Sequence, residues 1–375
     1  MGFPASERVA GAAAVLQLAE MRLTGSTYHR PGVCSRGLRR VALLTCCALA
    51  CMTASAATAA AASLVIEGTG DGHGVGMSQS GALGYAQHGA SYSEILAHYY
   101  TGTTIGPAPA NTIIRVLIGA HVVKVPLERY VRGVVSAEMP ASWPTAALEA
   151  QAVASRTYAI TAHAGGSRFD VYADTRSQVF RGAAAETPQT NAAVAATAGQ
   201  IVLYDGQPAT TYFFASSGGM TENIENSFLG AAPEPWLLAV PDPYDSGRLS
   251  TWRLTLSFAA ASARLHGLIK GSLRGIEVLT RGVSPRIVSA EVLGSGGVTP
   301  VSGPELAARF GLESTWAFFS VKRGSKITRE PDRSGKTPSA SLPAATRKVA
   351  PSTGPQGGSQ APPSSETVAA TGGAG

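Results

Sequence analysis

Residues 126–160 read PLERYVRGVVSAEMPASWPTAALEAQAVASRTYAI, and the organisation of the chain follows from them. Leu127, Tyr130, Val131, Val134 and Val135 recur at the three-to-four-residue spacing of one helical face, so they predict an amphipathic helix that buries this stripe. The next position on the stripe is Glu138, a carboxylate where the core face calls for a hydrophobe. Pro140 then closes the helix, because it lacks an N–H and its ring clashes with the preceding turn. A second helix is expected over about 144–163, rich in alanine and so able to pack closely. Burial disfavours an ionised carboxyl and raises its pKa. A Glu kept protonated near neutrality suits a general acid. The alternative at this point is a buried Glu satisfied by Arg156 or by a helix N-terminus.

Outward from this pair, the chain is expected to alternate short strands and helices. SLVIEG (63–68) reads as a strand, 78–88 as a helix stopped by Gly89, and SYSE (91–94) as a capping box opening another helix. NTIIRVLIGAHVVKV (111–125) predicts a hairpin. Strands are expected near 200–204 and 209–215. GIEVLT (275–280) and RIVSAEVL (286–293) follow as strands, and GPELAARFGL (303–312) as a helix. The fold class is therefore α+β, with helices packed on mixed short strands and an additional β-rich subdomain.

The ends differ in character. RGLRR (36–40) precedes an apolar run that finishes in small residues near Ala56 to Ala62, the layout of a secretory signal. The run is preceded by an unusually long basic region or by a later start at Met21, and an uncleaved anchor is the other reading. Residues 1–62 are accordingly set apart as a leader. All four cysteines (Cys34, Cys46, Cys47 and Cys51) lie within it, so a processed chain would carry no disulfide, thiolate metal site or cysteine nucleophile. The formal charge is +6. Residues 1–62 hold six basic against two acidic residues and 321–375 hold eight against three, which leaves the middle at −3. A nucleic-acid groove is not implied. The basic, Pro/Ser/Gly-rich segment 321–375 is expected to be a disordered tail.

Two further stretches carry polar groups that chemistry could use. GTGDGHGVGMSQSGALGYAQHG (68–89) sets His73 among glycines, with Gln79 at the start of a helix. Its spacing is neither a dinucleotide fingerprint nor a Walker loop, and GMSQS departs from the nucleophile elbow at its last residue. What remains is a backbone able to approach a ligand closely, with His73 and Gln79 as its polar groups, or a tight structural turn. TTYFFASSGGMTENIE (210–225) brings Ser216 and Ser217 to a strand end, suited either to hydrogen-bonding a sugar or to an ordinary turn.

YVRGVVSAEMPASWPTAALEAQAVASRTYAI (130–160) and SQVFRGAAAETPQTNAAVAATAGQIVLYDGQPATTYFFASSGGMTE (177–222) resemble the core of the SpoIID/LytB family. GHGVGMSQSGALGYAQHGASYSEILAHYYTGT (72–103) resembles that family's other signature. The resemblance covers most of 63–320, dividing it into the GHGVGMSQ segment (63–106) and the core with its β-rich part (107–320). It implies an exported peptidoglycan lytic transglycosylase that cuts glycan strands between MurNAc and GlcNAc, with Glu138 as catalytic acid/base. LytB-type relatives are described instead as enhancers of a cell-wall amidase, which supplies the alternative function and a partner. His73, Gln79, Gln151, Arg156, Ser216 and Ser217 are assigned to substrate binding. Some relatives carry a metal site around the QVF segment, but Tyr172 and Ser177 occupy the thiol positions here, so no metal and no cofactor is expected. In the family the GHGVGMSQ segment usually follows the core; here it precedes it, as in a circular permutation. Such a permutation predicts that Thr315–Val321 and Leu64–Glu67 are neighbouring strands, and that His73 and Glu138 face one cleft.

Overall fold

The computed structural model describes residues 62–245 and 251–335. Both expected long helices are present, at Leu127–Glu138 and Thr145–Thr161. Leu127, Tyr130, Val131, Val134 and Val135 are all buried, so the stripe read from the sequence is the packed face. Helix Thr145–Thr161 lies at the centre of the first hydrophobic core. Its alanines at 147, 150, 152 and 154 are fully covered, and their small side chains let the flanking helices come close. Helices Gln79–Gln87, Tyr92–Tyr99 and Pro188–Ala196 surround it. Three small sheets complete this half. Ile113–Ile118 pairs with His121–Pro126 on one side and Val171–Tyr172 on the other. Gln200–Tyr204 pairs with Thr104–Pro107 and Gln207–Pro208. Met77–Ser78 runs parallel to Phe213–Phe214.

The second core is β-rich. One sheet has the order Thr251–Ser257, Ser63–Thr69, Ala317–Arg323, Lys326–Arg329. A three-stranded antiparallel sheet, Leu273–Arg281, Ile287–Gly294 and Gly297–Ser302, lies in the same core. Helices Phe258–Arg264 and Gly303–Phe310 pack with them. The mixed α+β class is as expected.

Ser63–Thr69 is antiparallel to Ala317–Arg323, with Leu64 opposite Val321 and Gly68 opposite Ala317. The two runs expected to be neighbours are therefore hydrogen-bonded partners, the juxtaposition that a permuted connection requires. From this strand the chain crosses through the glycine loop into the first core.

The end of the folded region differs from expectation. Residues 321–335 are not a tail. The chain turns at Gly324, which has φ +59°, and Lys326–Arg329 pairs back onto Ala317–Arg323. Asp332 then accepts from Arg281 Nε at 2.9 Å, and Arg333 donates to Glu277 at 2.6 Å. The basic composition that suggested a solvated tail is here an exposed edge strand and its ion pairs, a common way of guarding a sheet edge. The expected leader (1–62), apart from its last residue, and the far end beyond 335 lie outside the described residues. Among the described residues, no helix is long and apolar enough to cross a membrane.

Candidate functional site

Glu138 is the last residue of helix Leu127–Glu138 and is half-buried. Its Oε1 accepts from the Val179 N–H at 2.7 Å. Its Oε2 accepts from Gln79 Nε2 at 3.3 Å. The helix face delivers the carboxyl to the core side, and the QVF segment meets it with a backbone donor. Burial pushes the carboxyl above its ordinary range, against the pull of the Val179 and Gln79 donors. These partners are uncharged, so the opposition to burial comes from hydrogen bonds and not from a cation. The expected alternative, in which Arg156 satisfies Glu138, does not occur.

Gln79 arrives from the glycine-rich segment. It is the first residue of helix Gln79–Gln87, whose N-cap Ser78 accepts from Gly81 N. Gln79 Nε2 also donates to Gln151 Oε1 at 3.4 Å, and Gln151 Nε2 donates to Ser155 Oγ at 2.9 Å. The structure thus brings Glu138, Gln79 and Gln151 together from three helices. Gln151 and Ser155 are fully buried, one turn apart on helix Thr145–Thr161.

The other expected site residues are placed elsewhere. Arg156, fully buried, donates Nε and Nη2 to Glu128, each at 2.8 Å, and Nη1 to Gln200 O at 2.9 Å. Its fork ties helix Leu127–Glu138 to helix Thr145–Thr161 and to strand Gln200–Tyr204. Its donors are engaged inside the protein. Ser216 and Ser217 sit at the strand end as expected, but their hydroxyls donate to the chain's own carboxylates. Ser216 Oγ donates to Asp245 at 3.0 Å, and the single Ser217 hydroxyl lies 2.8 Å from both Asp242 and Asp245, its proton shared between them. Ser78 Oγ donates to the same Asp245, and Tyr99 OH donates to Asp242 at 2.9 Å. Burial and the neighbouring Asp245 charge push Asp242 up to about 6. This Ser–Asp cluster fixes Ser78, and through it the start of the helix that carries Gln79.

His73 is turned into the protein. Its Nδ1 accepts from Val75 N at 3.0 Å, and its ring lies against Phe228, Phe214 and Tyr212 at centroid distances of 4.9, 5.4 and 6.1 Å. Burial, then the nearby Arg286 charge, pushes its pKa down to about 3, so the imidazole is neutral. Glycines 70, 72, 74 and 76 all have positive φ, between +74° and +103°. A Cβ at Gly74 would strike the buried Arg286 guanidinium, and one at Gly76 the Tyr212 carbonyl. The close approach these glycines permit is to the protein itself, which accounts for them without a glycan. The segment reaches the Glu138 network through Gln79 and not through His73.

Val179, Glu128 and the Asp242–Asp245 pair were not legible as site or support residues. Val179 acts through its backbone. The aspartates lie in PDPYD, where no periodicity marks a role. At the expected thiol positions, Tyr172 N donates to Ser177 Oγ at 3.1 Å. Among the described residues, no group of three or more His, Cys, Asp and Glu side chains could hold a metal ion.

A family model described as "Stage II sporulation protein" matches residues 119–204, the span holding Glu138, Gln151 and Arg156. The chain is 30% identical over 247 residues to the stage II sporulation protein D of Bacillus amyloliquefaciens, covering 60% of this chain and 69% of that protein. It is 29% identical over 245 residues to the stage II sporulation protein D of Bacillus subtilis, with the same two coverages. It is also 37% identical over 126 residues to an amidase enhancer of Bacillus subtilis, covering 34% of this chain and 17% of that protein.

Proposed function

The chain belongs to the SpoIID/LytB family of stage II sporulation protein D, and on that footing we propose that it acts on the bacterial cell wall as a peptidoglycan lytic transglycosylase. The observation that carries this reading is Glu138: a carboxyl held above its ordinary range by burial, and bound by neutral partners alone. Most glycosidases use two carboxylates, one to protonate the leaving oxygen and one to attack or to activate water. Intramolecular attack needs only one. Glu138 gives its proton to the glycosidic oxygen as the bond from MurNAc C1 to that oxygen breaks, and the GlcNAc end leaves as a free hydroxyl. The 6-hydroxyl of the same MurNAc bonds to C1, and its proton returns to Glu138. The product end is 1,6-anhydroMurNAc, no water is consumed, and the acid is regenerated.

The Val179 and Gln79 donors suit the second half of this cycle, because they stabilise the carboxylate after it has given up its proton. Burial suits the first half. The proposed substrate is the glycan strand itself, met outside the cytoplasm by an exported chain.

The likeness to an amidase enhancer supports a second reading, a non-catalytic wall-binding protein that stimulates an N-acetylmuramoyl-L-alanine amidase. Incubation with bare glycan strands, followed by mass spectrometry, separates the two. Strands shortened to 1,6-anhydroMurNAc ends support the transglycosylase. Intact strands, with amidase activity raised on adding the protein, support the enhancer.

A further inference from the structure

Resting on the acid/base reading of Glu138, we infer that Gln151 is a positioning residue that, through Gln79, keeps an N–H donor aimed at Glu138 Oε2. A side-chain amide can offer a carboxyl group either its oxygen or its nitrogen. The two choices act in opposite senses: a donor favours the carboxylate, and an acceptor favours the protonated acid. A general acid that must also become a base depends on which one faces it.

Gln151 makes that choice. Its Nε2 donates to Ser155 Oγ at 2.9 Å, and its Oε1 is the end that faces Gln79. Gln79 answers with Nε2, placed 3.4 Å from Gln151 Oε1 and 3.3 Å from Glu138 Oε2. One NH₂ group thereby serves both acceptors. Gln79 is 4% exposed and Gln151 fully covered, so neither amide can exchange these bonds freely for water. The backbone end is fixed too, because Ser78 caps the helix and is held by Asp245. The hydrogen-bond partners of Glu138 from the packed elements are the Val179 backbone and Gln79, with Gln151 behind it, all uncharged. On its own helix the neighbouring ionisable group is Tyr130, whose phenol is pushed up chiefly by burial and stays neutral.

The test reads Glu138 directly. The full chain carrying ¹³C-labelled glutamate carboxyls is titrated by NMR, with the Glu138 signal assigned by its loss in Glu138→Gln. Gln79→Met removes the donor, and the proton affinity of Glu138 should rise about tenfold, the low end for one hydrogen bond to a charged group. Gln151→Met should raise it in the same direction, because Gln79 is then free to turn its oxygen toward Glu138. Once Gln79 is Met, adding Gln151→Met should change nothing further. Ser155→Ala, which releases the other end of Gln151, gives an independent variant and a shift of the same sign. A Glu138 titration unmoved by Gln151→Met or Ser155→Ala overturns the inference, as does a double variant that shifts by the sum of the two. Strand cleavage is measured in parallel. If wild type does not cleave, the catalytic reading fails while the titration still decides the role of Gln151. If wild type cleaves and the titration does not move, only the positioning role fails.

Discussion

Glu138→Gln separates chemistry from architecture. The substitution keeps the side chain's shape and the acceptor for Val179 N–H, whose 2.7 Å bond is the shortest at the carboxyl. It removes the proton that is transferred. It also sets an NH₂ group against the Gln79 NH₂, which stands 3.3 Å from Oε2 in the native protein. Gln79 can relieve this by turning its amide, at the cost of the long bond to Gln151. Loss of general acid–base catalysis typically costs about 10²- to 10⁴-fold in rate, or roughly 3–5 kcal/mol in the barrier at about 1.4 kcal/mol per tenfold. Stability should move the other way with pH. The folded-state pKa of Glu138 is raised, so its stabilising contribution is full below the unfolded value and is lost as pH rises through the folded value. The Gln variant has no such loss. Its Tm relative to wild type should therefore rise as pH climbs from about 4 towards neutral. The assay is product formation on bare glycan strands, with glycan binding and thermal unfolding run alongside. Residual cleavage above about a tenth of wild type, in a folded variant, would refute the acid/base role, since even the low end of the expected loss is about a hundredfold.

Three further outcomes follow from the supports around the site. Arg156→Met should destabilise the fold by about 2–4 kcal/mol in urea denaturation, somewhat less than a fully buried broken pair because Glu128 is 39% exposed; a weaker KM with unchanged stability would return Arg156 to substrate binding. Asp242→Asn should gain stability relative to wild type as pH rises through about 6, because a raised carboxyl contributes fully below its unfolded value near 3.8 and loses that contribution through about 6; a Tm difference independent of pH between 4 and 7.5 contradicts this. Gly74→Ala should cost about 2–4 kcal/mol, combining left-handed backbone strain with overpacking against Arg286. Equal Tm for Gly74→Ala and wild type would show that the glycines answer to something other than internal packing.

Where local chemistry sets structure, the sequence was readable. The stripe from Leu127 to Val135 placed its helix, Pro140 ended it, and SYSE formed the capping box at Ser91 and Glu94. The pairing of Leu64 with Val321 was legible only through the segment order of a known family, since 257 positions separate them and no local pattern joins them. Side-chain partners were the part that could not be read. Arg156 and Glu138 lie 18 positions apart on consecutive helices, yet the guanidinium turns to Glu128 one helix end away. Ser216 and Ser217 had the composition of a sugar-binding edge, but PDPYD returns two carboxylates to their hydroxyls. His73 looked bare because its neighbours in sequence are glycines; its neighbours in space are Phe214, Phe228 and Tyr212. The strand at Lys326–Arg329 was hidden by a basic composition that serves equally for an exposed edge and for a tail.

The most direct test of the central claim is strand cleavage in H₂¹⁸O. If the MurNAc 6-hydroxyl attacks C1 and gives its proton to Glu138, the new ends are anhydro sugars and carry no ¹⁸O. Cleavage by activated water would place one ¹⁸O at each new reducing end and would contradict the account.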